Sequence, residues 1–185
     1  MTVLAVRKAL VPYHVAVGFR SEADLREAAE AKLLSGADLK RARPYLTPIG
    51  STIRHFGPVG SGTVYKLINN LMGAIQIAGL AEGLAIAEQA GLDMNLVLES
   101  IQAGVAASPQ VQRHSRRMVA RDFSGATFTT ALRHKDAAYA VKLAESLLAD
   151  KPMVANAAVE AYAQAKAKMP DDDEGRMIEL VSRPK

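Results

Sequence analysis

Apolar residues recur at helical spacing along most of this chain, and helix-ending signals separate the runs. The longest run extends from Thr63 to Ala90 without a break. A helix of about 28 residues would be about 42 Å long, enough to cross a whole domain. The pattern therefore predicts one long central helix that ends at Gly91.

Shorter amphipathic runs follow, and the first two begin with residues that favour helix starts. Asp93 is a good N-cap candidate, and Ser108 is followed by Pro109, which suits the first position of a helix. The chain is also rich in alanine, a strong helix former. These features predict an all-α fold, a helical bundle around the long helix, with further helices at 93–102, 108–120, 130–149, 152–168 and 174–182.

The region before the long helix gives weaker signals. Ser21 can cap a helix that ends at Gly36, a shorter helix stops before Pro44, and residues 51–56 favour an extended segment. The start of the chain shows no clean signal or transit peptide, and the uncharged stretch 67–81 is too short and too polar for a bilayer span. We therefore expect a buried helix there, no membrane partner and a cytoplasmic location.

The composition narrows the class of protein. Of the 185 residues, 49% are hydrophobic and 23% are charged, which suits one globular domain with a substantial core. The absence of cysteine excludes disulfides, a thiol nucleophile and Cys-ligated metal sites, and it fits a reducing compartment. Lys and Arg outnumber Asp and Glu only by 23 to 19 and are spread along the chain, so we expect no nucleic acid partner.

A glycine-rich turn at residues 57–62 precedes the long helix, and three polar residues follow it. The turn lacks the third glycine of a dinucleotide fingerprint, because Tyr65 occupies that position. Lys66, Asn69 and Asn70 stand at i, i+3 and i+4 and share one helix face. A helix start and burial both favour a neutral lysine amine, which suits proton transfer, and asparagine can hold a hydroxyl or carboxylate. The alternative is a lysine that reaches solvent and asparagines that bond neighbouring backbone.

Other charged groups are expected to be solvated or structural. Lys135 and Asp136 point to different sides of their helix, where solvated charges are the default. The acidic run 171–174 is expected to begin the last helix, and the spacing of the four histidines predicts no metal site. A basic strip, typical of a solvated face or a partner contact, consists of Arg113, Arg116, Arg117 and Arg121.

The turn and the polar residues after it together carry a family resemblance. Residues 57–70 match the pattern G-x-x-G-x-G-x-x-x-K-x-x-N-N at every fixed position. This segment resembles the catalytic motif of the β-hydroxyacid dehydrogenases, the 3-hydroxyisobutyrate dehydrogenase family. Further similarity lies in Arg-Ala-Arg-Pro-Tyr-Leu at 41–46, Asp-Phe at 122–123 and Lys-Asp at 135–136. It extends over residues 36–185, which the resemblance implies are a helical C-terminal substrate and oligomerisation domain, similar to that of 6-phosphogluconate dehydrogenase.

The resemblance also implies roles for particular residues. Lys66 is implied to be the catalytic lysine, the acid/base at the substrate hydroxyl, with Asn69 and Asn70 orienting the substrate. Lys135 is implied to lie near the nicotinamide end of NAD or NADP, with Asp136 as its structural partner. The glycines implied to give the substrate close access to the backbone are Gly60 and Gly62. The family further implies a small β-hydroxyacid substrate and a homodimer or higher oligomer.

The chain departs from the family pattern in its N-terminal part. Neither a G-x-G-x-x-G nucleotide fingerprint nor a D-x-P-V-S-G-G substrate motif is present, and residues 1–35 match no known element. After Lys135 the cofactor motif is also imperfect, with Ala137, Ala138 and Lys142 at positions that many members fill differently. We therefore expect a truncated chain that retains no cofactor by itself and is inactive alone. The alternatives are a non-catalytic helical dimerisation module and a site completed by a separate nucleotide-binding subunit.

Overall fold

A computed structural model describes residues 60–126 and 128–182, together with Pro44, Arg54, Phe56 and Gly57. These residues form six α-helices and no strand, apart from an isolated bridge between Thr129 and Asp173. The helices are α1 (Ser61–Gln89), α2 (Met94–Ala103), α3 (Pro109–Ala120), α4 (Thr130–Leu147), α5 (Met153–Lys168) and α6 (Ile178–Val181), with a 3-10 turn at Glu174–Met177 before α6. The all-α prediction is confirmed.

The helix boundaries agree with the predictions to within two residues up to the last helix. The segment predicted as helix 174–182 opens instead as a 3-10 turn, because Arg176 N donates to Asp173 O (2.9 Å), an i to i+3 bond. The predicted helices before Pro44 and most of the extended segment 51–56 lie outside the described residues. Pro44 itself is helical, so the expectation that the helix stops before it was wrong.

The chain divides into two compact units, residues 1–66 and 67–185, and the division falls inside α1. The boundary expected at residues 35–36 stays a prediction. In the described part of the first unit, the ring of Phe56 stacks on Tyr65 with ring centres 4.1 Å apart. The other helices and the core described below belong to the second unit.

Local signals fix where the helices start and stop. The Asp93 side chain accepts from Asn95 N (2.9 Å) at the start of α2. Ser108 Oγ accepts from Val111 N (3.1 Å) at the start of α3. At the end of α1, Gly91 has φ +75°, and Leu92 N donates to Ala87 O (3.1 Å), as in a Schellman motif. Each of these helix boundaries therefore follows from residues next to it in the sequence.

The core forms around α1. This helix buries Ala74, Ile77, Ala81 and Leu84, which recur every three or four residues. Full burial of one Ile or Leu side chain contributes about 1.5–3 kcal/mol. The residues that pack against this stripe come from α3, α4, α5 and the segment 177–178, namely Val111, Met118, Ala137, Tyr162, Ala165, Met177 and Ile178. The prediction of one long central helix is confirmed.

By length and composition, α1 is the one helix in the described residues that could cross a membrane. Its most apolar window has a mean hydropathy of 1.3, and 44% of that window is buried inside the protein. A core helix of a soluble protein has the same composition.

The start of α4 is bonded to the segment that leads into the 3-10 turn. Thr130 N donates to Asp172 O (3.0 Å), and Glu174 N donates to Phe128 O (3.0 Å). The 3-10 turn thereby packs against both α3 and α4. This arrangement brings the acidic residues of the turn to the buried side of α4, beside the candidate site.

Candidate active site

The glycine turn positions the start of α1. Gly57 and Gly60 have φ of +129° and +97°, values that side-chain-bearing residues rarely adopt. At Gly60 an added Cβ would meet nothing within 4 Å, so the conformation, not a lack of space, requires glycine. Gly60 O accepts from Val64 N (3.0 Å), and Gly62 lies in the first turn of the helix.

The three polar residues of the motif follow on α1. Lys66 is half-buried, Asn69 is exposed and Asn70 is half-buried. Because α1 begins at Ser61, Lys66 lies in the second helical turn. The field of a helix terminus weakens beyond the first turn, so it affects this lysine less than the sequence suggested.

Asp136 links Asn70 to Lys135. Asn70 Nδ2 donates to Asp136 Oδ2 (2.7 Å), and Lys135 Nζ lies 3.3 Å from Asp136 Oδ1. The expectation of two solvated charges was therefore wrong for Asp136, which is buried, whereas Lys135 is half-exposed. The long lysine side chain bends back toward its neighbour, and the buried carboxylate gains two partners. The structure thus brings together Asn70, Asp136 and Lys135.

Arg133, one turn before Asp136, contacts the same asparagine. Its Nη1 donates to the main-chain oxygen of Asn70 (2.9 Å). Its Nε and Nη2 donate to the two carboxylate oxygens of Glu174, the second at 2.9 Å. The Phe128 ring lies below the guanidinium, with its centre 4.5 Å from Cζ.

Arg133 and Glu174 belong to a larger group of buried and part-buried ionisable side chains, the buried ionic cluster, made of His114, Arg117, Arg133, Asp173 and Glu174. His114 lies between the two carboxylates, with Nε2 3.4 Å from Glu174 Oε1 and Nδ1 3.9 Å from Asp173 Oδ1. Arg117 Nη2 is 3.2 Å from Asp173 Oδ2. Burial raises the pKa of Glu174, but the contacts with His114 and Arg133 outweigh it and hold that pKa below its ordinary value.

Sequence reasoning missed this cluster. The acidic run was expected only to begin the last helix, and Asp173 does accept from Gly175 N (3.0 Å), but Asp173 and Glu174 are buried. A signal was present in α4, where Arg133 shares the buried stripe of Ala137 and Ala140 at i, i+4 and i+7. A buried arginine requires a buried acid as its partner.

The basic strip also differs from the expectation of a solvated face. Arg117 pairs with Asp173, and Arg121 Nη2 lies 2.7 Å from Glu88 Oε2 on α1. Arg116 donates to Gln102 Oε1 (2.9 Å). Much of the strip therefore stabilises contacts within the fold. Within the described ranges, no group of three or more His, Cys, Asp or Glu residues could hold a metal ion.

The described residues form an all-α fold, and the segment at the start of α1 resembles the motif of the β-hydroxyacid dehydrogenases. The sequence model of the family described as "NAD-binding of NADP-dependent 3-hydroxyisobutyrate dehydrogenase" matches residues 60–181. The chain therefore belongs to this family, as the resemblance of its motif implied.

The chain is also similar to individual relatives and to solved structures. The chain is 30% identical over 164 residues to a probable 3-hydroxyisobutyrate dehydrogenase of Mycobacterium tuberculosis, covering 83% of this chain and 55% of that protein. It is 31% identical to glyoxylate/succinic semialdehyde reductase 2, chloroplastic, of Arabidopsis thaliana, covering 79% of this chain and 40% of that protein. The structure of the Mycobacterium tuberculosis 3-hydroxyisobutyrate dehydrogenase with L-serine superposes with a TM-score of 0.72 at 28% identity, covering 80% of this chain and 53% of that one. The chain spans about half the length of these relatives.

Proposed function

We propose that this chain is the helical, substrate-holding part of an NAD(P)-dependent oxidoreductase of small β-hydroxyacids, such as 3-hydroxyisobutyrate. Lys66 is the acid/base at the substrate hydroxyl, and Asn69 and Asn70 orient the substrate. Gly60 and Gly62 let it approach the backbone. The same proposal places the enzyme in the cytoplasm as a homodimer or higher oligomer.

The observation that carries the proposal is the hydrogen bond from Asn70 to Asp136. Since Nδ2 of Asn70 donates to a buried carboxylate at 2.7 Å, the carboxamide is held in one orientation. Its oxygen Oδ1 and the second hydrogen of Nδ2 are then directed elsewhere. Oδ1 can accept a hydrogen bond from a hydroxyl, and the second N–H can donate to a hydroxyl or a carboxylate oxygen. A pre-oriented amide of this kind suits a small polar substrate better than a freely rotating one does.

Oxidation of a hydroxyacid removes a proton from the hydroxyl oxygen and a hydride from the carbon that bears it. Lys66 and Asn70 are four residues apart on one helix, so their spacing puts them on the same face. Asn70 holds the hydroxyl oxygen, and the amine of Lys66 takes its proton.

Bound NAD(P) supplies the hydride acceptor for this reaction. Lys135 is a half-exposed cation that Asp136 holds beside Asn70, so its ammonium can still donate to a ligand. This geometry fits one contact to such a cofactor, and Lys135 is the residue that would make it.

The test is an NMR titration of the purified chain with 3-hydroxyisobutyrate, following the backbone amides and the asparagine side-chain amides. We expect the largest changes at Lys66, Asn69 and Asn70, and we expect Asn70→Ala to abolish them. Asn95→Ala changes an exposed asparagine on α2 and is the matched control. Saturating ligand that leaves the motif signals unmoved would show that this chain does not hold such a substrate.

We also propose that the chain by itself has negligible turnover, because catalysis requires a cofactor placed against the substrate as well as a positioned lysine. The measurement is NAD(P)H formation from 3-hydroxyisobutyrate, with and without a separately produced nucleotide-binding domain of a relative. Steady turnover by the chain alone, lost in Lys66→Ala, would contradict this part of the proposal. Co-purification of a nucleotide-binding partner would instead support a site completed in trans.

A second candidate is a non-catalytic association module, which the corner between α4 and α5 favours. Four apolar side chains there, Leu147, Leu148, Met153 and Val154, are 56–80% exposed. Exposed apolar groups in one region favour association with another chain. Light scattering that shows a stable monomer at high concentration would count against this function.

A further inference from the structure

Arg133 connects the 3-10 turn to the helix that carries Asn70. Two of its nitrogens donate to the two carboxylate oxygens of Glu174, and the third donates to the main-chain oxygen of Asn70. The side chains of Arg133 and Glu174 are both almost fully buried. Because a guanidinium is planar and rigid, anchoring two nitrogens on a carboxylate fixes the direction of the third.

Gly73 provides the space for this contact. An added Cβ at Gly73 would lie 3.1 Å from Nη1 of Arg133 and 3.5 Å from Nε2 of Gln110. A glycine in a helix interior is less favourable than an alanine, so glycine at this position lowers the stability of α1. The close approach of the Arg133 guanidinium explains why a glycine occupies position 73.

The helix α4 therefore holds Asn70 at two points. Arg133 binds its main-chain oxygen at 2.9 Å, and Asp136, one turn later on α4, binds its carboxamide at 2.7 Å. If α1 shifted or rotated at this point, the two bonds could not both keep their length. The hydrogen bond between Asn70 and Arg133 therefore constrains the geometry of the hydrogen bond between Asn70 and Asp136.

We propose that Arg133 is a positioning residue of the candidate active site, seated by Glu174 and Gly73, and that it sets how α1 presents the Asn70 carboxamide to Asp136 and to a substrate. The part that concerns a substrate rests on the proposed function. The part that concerns Asn70 and Asp136 does not.

The first experiment compares Gly73→Ala with Gly79→Ala. Both substitutions are on α1 and both favour the helix, but an added Cβ at Gly79 would meet nothing within 4 Å. Gly73→Ala leaves every charge of the buried ionic cluster in place, so the protein is expected to fold. We expect the assigned side-chain amide signals of Asn70 to shift in Gly73→Ala and to stay unchanged in Gly79→Ala.

The second experiment compares Arg133→Lys with Arg117→Lys. A lysine cannot bind Glu174 through two nitrogens and Asn70 through a third, whereas Arg117 belongs to the same cluster but pairs with Asp173. We expect only Arg133→Lys to move the Asn70 amide signals. Loss of one orienting hydrogen bond should weaken 3-hydroxyisobutyrate binding by about two- to tenfold in Arg133→Lys and Gly73→Ala.

The outcomes separate the two proposals. If the Asn70 signals stay unchanged in both Gly73→Ala and Arg133→Lys, the positioning role is overturned. Arg133 would then contribute only to the stability of the fold. Failure of the unaltered chain to bind 3-hydroxyisobutyrate would overturn the proposed function, while the Asn70 signals still report on Arg133.

Discussion

The ion pair between Arg133 and Glu174 gives a prediction with a large expected effect. Both side chains are 3–4% exposed and are joined by two hydrogen bonds. Replacing Glu174 by leucine removes the partner and leaves the Arg133 charge buried. Breaking a buried pair in this way costs about 3–5 kcal/mol, because the remaining charge has lost both water and its partner. For a unit of this size, that corresponds to a fall in Tm on the order of 10 °C.

Replacing both residues, as Arg133→Met with Glu174→Leu, removes the uncompensated charge. A buried pair exchanged for apolar residues of similar volume is often close to neutral, so we expect the double variant to regain most of the lost stability. Urea and thermal unfolding followed by circular dichroism measure Glu174→Leu, the single variant Arg133→Met and the double variant. The double-mutant cycle should give a coupling energy of at least about 2 kcal/mol.

Arg176→Ala is the matched control, because Arg176 belongs to the same 3-10 turn but forms exposed ion pairs with Asp172 and Glu179. We expect little change in its unfolding transition. If Glu174→Leu lowered stability no more than Arg176→Ala does, or if the double variant were less stable than both single variants, the reasoning from burial would be refuted.

Four further predictions follow from single contacts. Because the pKa of Glu174 lies below its ordinary value of 4.5, its contribution to stability is present above pH 4.5 and is lost as pH falls through the folded-state pKa. Urea midpoints across acid pH should therefore fall more steeply for the unaltered chain than for Glu174→Gln. Gly60→Ala should lower stability by about 1 kcal/mol or more because of the positive φ, whereas Gly83→Ala, in open space on α1, should raise it slightly, and thermal melts check both. Ser108→Ala should cost about 1 kcal/mol in urea unfolding by removing the N-cap of α3, and an unchanged midpoint would contradict this. Tyr162→Phe should leave stability unchanged or raise it by about 1 kcal/mol, since the buried hydroxyl has no hydrogen-bond partner in the described part of the chain, and a clear loss would reveal one.

Most of the helical architecture could be predicted because the signals are local. The 3.6-residue period of the apolar positions and caps such as Asp93, Ser108 and Gly91 lie within or next to the helices they define. The motif at residues 57–70 likewise identified the family from one continuous segment.

The pairing of charges could not be predicted in this way. Arg133 and Glu174 are separated by 41 residues, and Asn70 and Asp136 by 66, so only the packing of α1, α4 and the 3-10 turn brings them together. Considered alone on its helix, Asp136 looks like any solvated acid.

By itself, then, the sequence determined the helices, the central position of α1, the family and the candidate residues Lys66, Asn69 and Asn70. The tertiary structure decided which charges are buried and which partner each one has. The physical reason is that a helix period depends on neighbours along the chain, whereas the energy of a charge depends on whether distant segments exclude water from it.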